Sequence, residues 1–158
     1  MADTRDERLS SYLDPNLIDT DMRAGSKESV LEELLRRMEA HGRIASAEPL
    51  LAEYLKREEV MSTGIGNGLA VPHIHTSLVD DYCVAFGHCR QGISFDALDG
   101  EPVYLVFMIA AVEETSQKHV RLVSALMRLL KTPGVLDAIL EAKTPECVIE
   151  AFKNAEAE

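Results

Sequence analysis

The sequence predicts an α+β fold, a three-layer α/β/α sandwich around a central mixed β-sheet. Residues 103–112, "VYLVFMIAAV", form an unbroken apolar run, and its Val, Tyr, Phe and Ile content suits a strand buried on both faces. Such a strand needs cover on both sides, and helix-periodic segments stand before and after the strand-rich middle of the chain. The order is roughly β-α-α-β, three further strands and then three helices. Helices that bracket strands, rather than alternate with them, point to a mixed sheet.

Each element has its own justification. The polar N-terminus, residues 1–13, is expected to fray, after which "NLIDTDM" reads as a first strand. Ser26 is placed to cap a helix with Glu28 in its opening turn and an inner stripe of Val30, Leu31, Leu34, Leu35 and Met38, ended by Gly42. Ser46 is placed to cap a second, whose inner face is Leu50, Leu51, Tyr54 and Leu55. "LAVPH", "YCVAFGHC" and "GISF" are short β-forming segments between Gly, Asp and Pro, and "DALDGEP" is a turn. Thr115 or Ser116 starts a helix carrying His119, Leu122, Val123, Leu126 and Leu130 on one face. Thr132-Pro133 and Thr144-Pro145 each read as an N-cap followed by a first-turn proline, opening two shorter helices.

The chain of 158 residues, 46% of them hydrophobic, is expected to form one domain over residues 1–158. A net charge of -11 repels a phosphate backbone and argues against nucleic acid as a partner. No stretch is long and apolar enough to cross a membrane, and the N-terminus lacks a leader-like apolar region. A cytoplasmic protein without direct membrane insertion is the expectation. Cys83, Cys89 and Cys147 have no metal-type spacing and read as buried thiols.

Chemistry concentrates in "TGIGNGLAVPH", residues 63–73. Gly64, Gly66 and Gly68 permit positive φ and leave backbone N–H groups free to converge on an anion, with Thr63 and Asn67 adding a hydroxyl and an amide. No Gly-Lys-Ser/Thr follows and no helix opens behind the glycines, so a nucleotide loop is excluded. A strand instead ends in His73, with Pro72 fixing the backbone before it. A neutral imidazole is nucleophilic near pH 7 and can take up and pass on a phosphoryl group. His119, early in its helix, and Arg57, just upstream of the glycines, are the candidates to hold the transferring oxygens.

Glu58, Ile65, Gly66, Leu69, Ala70, Val71, Pro72 and His73 stand at the spacings of the signature of type-2 (fructose/mannitol/nitrogen-class) enzyme IIA domains of the bacterial phosphotransferase system. "FDALDGEPVYLVFMIAA" and "KHVRLVSALMRLL" resemble that family's later segments. The resemblance implies a phosphoryl group taken from the carrier protein HPr, or its nitrogen-branch counterpart, and held on Nε2 of His73. It implies transfer to a IIB cysteine, with His119 and Arg57 as the second histidine and the arginine of the site. It requires no metal, nucleotide or other cofactor. Because no IIB or IIC segment follows, the chain most resembles stand-alone IIA proteins, including nitrogen-related regulatory ones. One departure is "IHT", residues 74–76, where the family usually has a small residue after the active histidine.

Two other readings remain open at this level. The same domain fits a regulatory module that binds transporters, kinases or transcription regulators according to its phosphorylation state, since a phosphoryl group adds about -1.5 to -2 charge at one surface point. A zinc-binding domain using His73, His75, His88 and Cys89 is the weaker alternative.

Overall fold

The computed structural model describes residues 8–112 and 116–157. Its strands are β1 (Leu13–Asp19), β2 (Gly64–Gly66), β3 (Leu69–Ala70), β4 (His73–His75), β5 (Cys83–Ile93) and β6 (Val103–Ala111). Its helices are α1 (Lys27–Ala40), α2 (Ala47–Val60), α3 (Ser116–Lys131), α4 (Val135–Glu141) and α5 (Pro145–Glu156). The sheet runs β1-β5-β6-β3-β2, with β4 also pairing β6. It is mixed, as expected: β5 and β6 are antiparallel, while β1 pairs β5, and β3 and β4 pair β6, in parallel.

The apolar run of 103–112 became the sheet's interior strand. Alternate residues of β6 feed two separate cores: Val106, Met108 and Ala110 meet the stripes of α1 and α2, while Leu105, Phe107 and Ile109 meet α3, α4 and α5. This is the α/β/α sandwich. Tyr54 ties one outer layer to the sheet, donating its hydroxyl to the Ile109 carbonyl at 2.5 Å.

β3 and β4 are in effect one strand along β6, covered by β2 at β3 and forming an edge at β4. Leu69, Ala70, His73 and His75 face Leu105, Val106, Ile109 and Ala111, so the offset is the same on both sides of Val71-Pro72. Pro72 has no N–H to give the ladder, and an edge position tolerates that. Its carbonyl still accepts from the Ile109 N–H at 2.8 Å.

Several local expectations need correction. Residues 9–12 form a 3-10 turn and the first strand begins at Leu13, not at Asn16. Leu9, Tyr12 and Leu13 are buried against the α3–α5 core, which fastens a segment expected to fray. Ser26 caps α1 as expected, accepting from the Ser29 N–H at 3.2 Å. Ser46 occupies the N-cap of α2 without a capping hydrogen bond, and the Glu39 carboxylate accepts from the Ala47 N–H beside it. "YCVAFGHC" and "GISF" merge into the single strand β5, irregular between His88 and Ile93, where Gly92 takes φ 76°. Thr144 caps α5 with Pro145 in its first turn, as the sequence indicated. Thr132-Pro133 does not open α4. Gly134 (φ 87°) is its N-cap, and Thr132 instead closes the end of α3, its N–H bonding the Leu129 carbonyl. Thr115 lies outside the described residues, and α3 begins at Ser116.

Candidate functional site

His73 sits in the cleft where the edge of the sheet meets α2 and α3. Strand alternation sends Ile74 into the core under α1 and α2, and puts His73 and His75 together on the opposite face. α3 places His119 over that face. The ring centroids of His73 and His119 are 5.1 Å apart, and those of His75 and His119 are also 5.1 Å apart. From the other layer the last two turns of α2 contribute Glu53, Lys56, Arg57 and Val60, and together these residues line a cleft of about 510 Å³.

The tautomer of His73 follows from one hydrogen bond. Nδ1 lies 2.8 Å from the carbonyl oxygen of Val71. A carbonyl only accepts, so Nδ1 carries the hydrogen and the lone pair is on Nε2. Pro72 helps by holding the turn that brings Val71 back to its neighbour's ring.

His119 is buried, and its Nδ1 is 3.0 Å from the hydroxyl of Tyr82. Burial, and behind it His73 and His75, lower its pKa to about 4, so at neutral pH it is an uncharged ring. Burial raises the Tyr82 phenol, which stays protonated. The hydroxyl can donate to Nδ1 or accept from it, and in the first case Nε2 of His119 carries the hydrogen. Arg57 uses Nη1 to bond the Met61 carbonyl at 2.9 Å, which leaves further donors of its guanidinium fork unused by that bond. Lys56 adds a second cation on the same wall.

The glycine loop does not join this cleft. β2 and β3 are joined by Asn67-Gly68, with φ 57° and 78°, a two-residue turn of the type that hairpin twist favours. The Asn67 N–H does find an anion, but it is the chain's own Asp99 carboxylate at 3.1 Å. Gly66 also lies against Asp99 and Gly64 packs on Ala97. Thr63 is buried and bonded to Glu58 through both its N–H (3.1 Å) and its hydroxyl (2.6 Å), while Lys27 pairs with the same carboxylate at 3.1 Å. The nest expected beside the imidazole is therefore a hairpin clasp, and Thr63, Gly64, Gly66, Asn67 and Gly68 hold the strand that carries His73.

The sequence reading does not single out Glu53, Lys56 and Tyr82, and it names His75 only for the zinc alternative. Glu53, Lys56 and Arg57 stand at i, i+3 and i+4, which places them on one face of α2, and His75 follows from strand alternation. Nothing in the sequence joins Tyr82 to His119. The zinc alternative loses its geometry, because His88 pairs with Leu105, four residues along β6 from the Ile109 that faces His73. Among the described residues no group of three or more His, Cys, Asp or Glu side chains is arranged to hold a metal ion. Cys83 and Cys89 are buried, which pushes their thiols up to about 11 and about 12, whereas Cys147 is exposed on α5, contrary to expectation.

The family model for the EIIA 2 component of the phosphoenolpyruvate-dependent sugar phosphotransferase system matches residues 11–155. The chain belongs to that family. It is 34% identical over 140 residues to the fructose-specific EIIA component of Haloferax volcanii, covering 89% of this chain and 91% of that protein. It is 31% identical over 143 residues to a nitrogen regulatory protein of Pseudomonas aeruginosa, covering 90% and 93%. Against the fructose-specific EIIABC component of Bacillus subtilis it is 32% identical over 147 residues, 93% of this chain but only 23% of that longer protein. The nitrogen regulatory protein IIA-Ntr of Neisseria meningitidis superposes with a TM-score of 0.83 at 28% identity, over 91% of this chain and 98% of that one. The mannitol IIA of Escherichia coli, solved in complex with phosphorylated enzyme IIB, gives 0.74 at 22% identity over 90% and 97%, a likeness of fold. As an EIIA 2 component the protein is a phosphocarrier of the phosphotransferase system. No helix among the described residues is long and apolar enough to cross a membrane.

Proposed function

We propose that His73 is the phosphoryl acceptor, that Arg57 and His119 hold the transferring oxygens, and that the donor is the phosphohistidine of HPr or of its nitrogen-branch counterpart. One observation carries this reading: the Val71 carbonyl holds the Nδ1 hydrogen of His73, which leaves Nε2 as the nucleophile. In the transfer, the donor's P–N bond breaks, a P–N bond forms at Nε2 of His73, and the donor imidazole leaves with its electron pair. The ring of His73 gains positive character, and its Nδ1–H bond to Val71 strengthens accordingly. Arg57 and Lys56 supply charge, and His119, neutral, supplies a hydrogen bond without a second full charge. That balance suits a group that must be released again. The cytoplasm, where such donors act, is the proposed location.

The downstream acceptor is either a IIB cysteine or, in a regulatory setting, a protein that reads the phosphorylated state. The likeness to IIA-Ntr of Neisseria meningitidis supports the second reading and the 34% identity to a fructose-specific EIIA component supports the first. Incubation with phosphoenolpyruvate, enzyme I and HPr, followed by intact-mass measurement, tests the acceptor. The wild-type chain should gain one phosphoryl group and His73→Ala none. Label that persists in His73→Ala removes the assignment.

A further inference from the structure

At the end of the sheet away from His73 lies a second cavity, of about 350 Å³, lined by Leu105, His88, Arg90 and Tyr104 from the sheet, Asn67 and Gly68 from the hairpin, and Leu136 and Leu140 of α4. Leu105 is four residues before Ile109 on β6, about 13 Å at strand spacing. Its floor is apolar, since Leu136 and Leu140 stand one turn apart on α4 and pack only partly against the core.

One buried polar group in this cavity lacks a partner, and one exposed cation stands at its rim. His88 is 4% exposed, and its buried Nδ1 has no hydrogen-bond partner among the described residues. Leaving a buried donor or acceptor unmet is costly, and such groups normally find a protein atom or a bound molecule. Arg90 bonds the Ala142 carbonyl through Nη2 at 3.2 Å and approaches Asp21 through Nε at 3.8 Å. Those contacts occupy one side of the guanidinium, and among the described residues none accepts from its Nη1, which is open to solvent and to a ligand. A cation with an open edge, an unmet imidazole and a leucine floor describe a receptor for a small amphipathic anion.

We propose that this cavity binds a small carboxylic acid with a compact apolar body, its carboxylate on Arg90, a polar atom within reach of the His88 ring, and its hydrocarbon against Leu105, Leu136 and Leu140. Burial and the neighbouring Arg90 lower the pKa of His88, and the neutral ring then offers both a donor and an acceptor. A carboxylate with a hydrocarbon body is preferred over a larger, fully polar oxyanion because the floor is apolar. The proposal does not rest on the role of His73.

The probe is 4-methylpentanoate, titrated into the uniformly 15N-labelled full chain, with 4-methylpentanamide and inorganic phosphate as controls. Saturable shifts are expected for the amides of His88, Arg90, Tyr104, Leu136 and Leu140, with those of His73–His75 unmoved. The amide should bind at least about tenfold more weakly, the loss expected when a charge-assisted hydrogen bond is removed. Arg90→Gln should weaken 4-methylpentanoate by a similar factor, and Leu140→Glu, which puts a carboxylate into the leucine wall, should abolish the shifts. The spectrum of each variant reports independently whether it is folded. Absence of saturable shifts at millimolar probe, equal binding of acid and amide, or phosphate reproducing the same shifts at the same affinity would each overturn the proposal.

Discussion

The hydroxyl of Tyr82 lies 3.0 Å from Nδ1 of His119, in the buried layer behind the cleft. The contact fixes which nitrogen of His119 looks toward His73, and it comes from a residue just before β5 with no sequence relation to α3. Tyr82→Phe keeps the ring and removes the bond. A buried imidazole nitrogen then loses its partner, at a cost of about 1–3 kcal/mol. Urea unfolding should show that loss, and phosphorylation by phospho-HPr should slow, because the His119 ring is no longer held. An unchanged transfer rate in a folded variant would show that His119 needs no such support.

The same histidine predicts a pH dependence of stability. Its folded pKa, about 4, lies below the ordinary value of 6.5 because burial, followed by His73 and His75, disfavours the charged ring. Between those values the unfolded chain binds the proton and the folded chain does not, so acid favours unfolding. The contribution is fully present above about pH 6.5 and is lost as pH falls toward 4. Its size should be on the order of 1–3 kcal/mol after solvent screening is allowed for. His88 is shifted in the same direction and adds to the slope. Urea midpoints at pH 7 and pH 5 check this: the wild-type difference should shrink in His119→Gln.

Tyr54 connects the two walls of the cleft. Its hydroxyl donates to the carbonyl of Ile109, the residue that faces His73 across the ladder, and it sits one turn before Arg57 on α2. Tyr54→Phe leaves that buried carbonyl without this donor and frees the end of α2 to shift relative to β4. A loss of about 1–2 kcal/mol in unfolding free energy is expected, with slower phosphorylation because the Arg57 wall is less well placed. Transfer that is slowed with no change in stability would point instead to a direct effect on the cleft.

Much of this arrangement was legible in the sequence, for identifiable reasons. The doubly buried run of β6 and the stripes of α1 and α3 fixed the layers, because burial on two faces or on one leaves different periodicities. His73, His119 and Arg57 converge in one cleft because each lies at the end of a well-patterned element. The glycine loop is ambiguous in sequence because Gly-Asn-Gly satisfies two physical descriptions at once, an anion nest and a tight hairpin turn. What decides between them is Asp99, 32 positions away from Asn67, which fills the anion position from within the chain. Glu58, Thr63 and Lys27 are a similar case: the hydroxyl next to the glycines is committed to a clasp with Glu58, five residues before it, and Lys27 joins them from far along the chain.

Thr63→Val tests that clasp against a phosphoryl-binding role. The substitution removes the hydroxyl from a buried carboxylate that also accepts from the Thr63 N–H and pairs with Lys27. Stability should fall by about 1–3 kcal/mol, since hydrogen bonds to charged groups are the stronger ones. Phosphorylation under conditions where the variant is folded should remain near wild type, because the hydroxyl faces Glu58 and not the cleft. Transfer reduced about a hundredfold with stability intact would restore Thr63 to the site.

Gly68→Ala puts the hairpin itself to the test. Its φ of 78° is one that L side chains rarely adopt, and a Cβ there would stand 3.2 Å from the Tyr104 ring. Backbone strain of about 1–2 kcal/mol should result. Gly68 also accepts hydrogen bonds from the N–H groups of Tyr104 and Leu105 through its carbonyl, so the strain falls on the start of β6. His73 lies several residues farther along the chain, beyond Pro72, and its bond to Val71 does not involve the turn. Thermal unfolding should therefore move to lower temperature while the initial rate of phosphorylation at a permissive temperature stays within about twofold of wild type. If instead the rate collapses while the fold persists, the loop's amides take part in transfer, and the cleft formed by His73, His119 and Arg57 is incomplete without them.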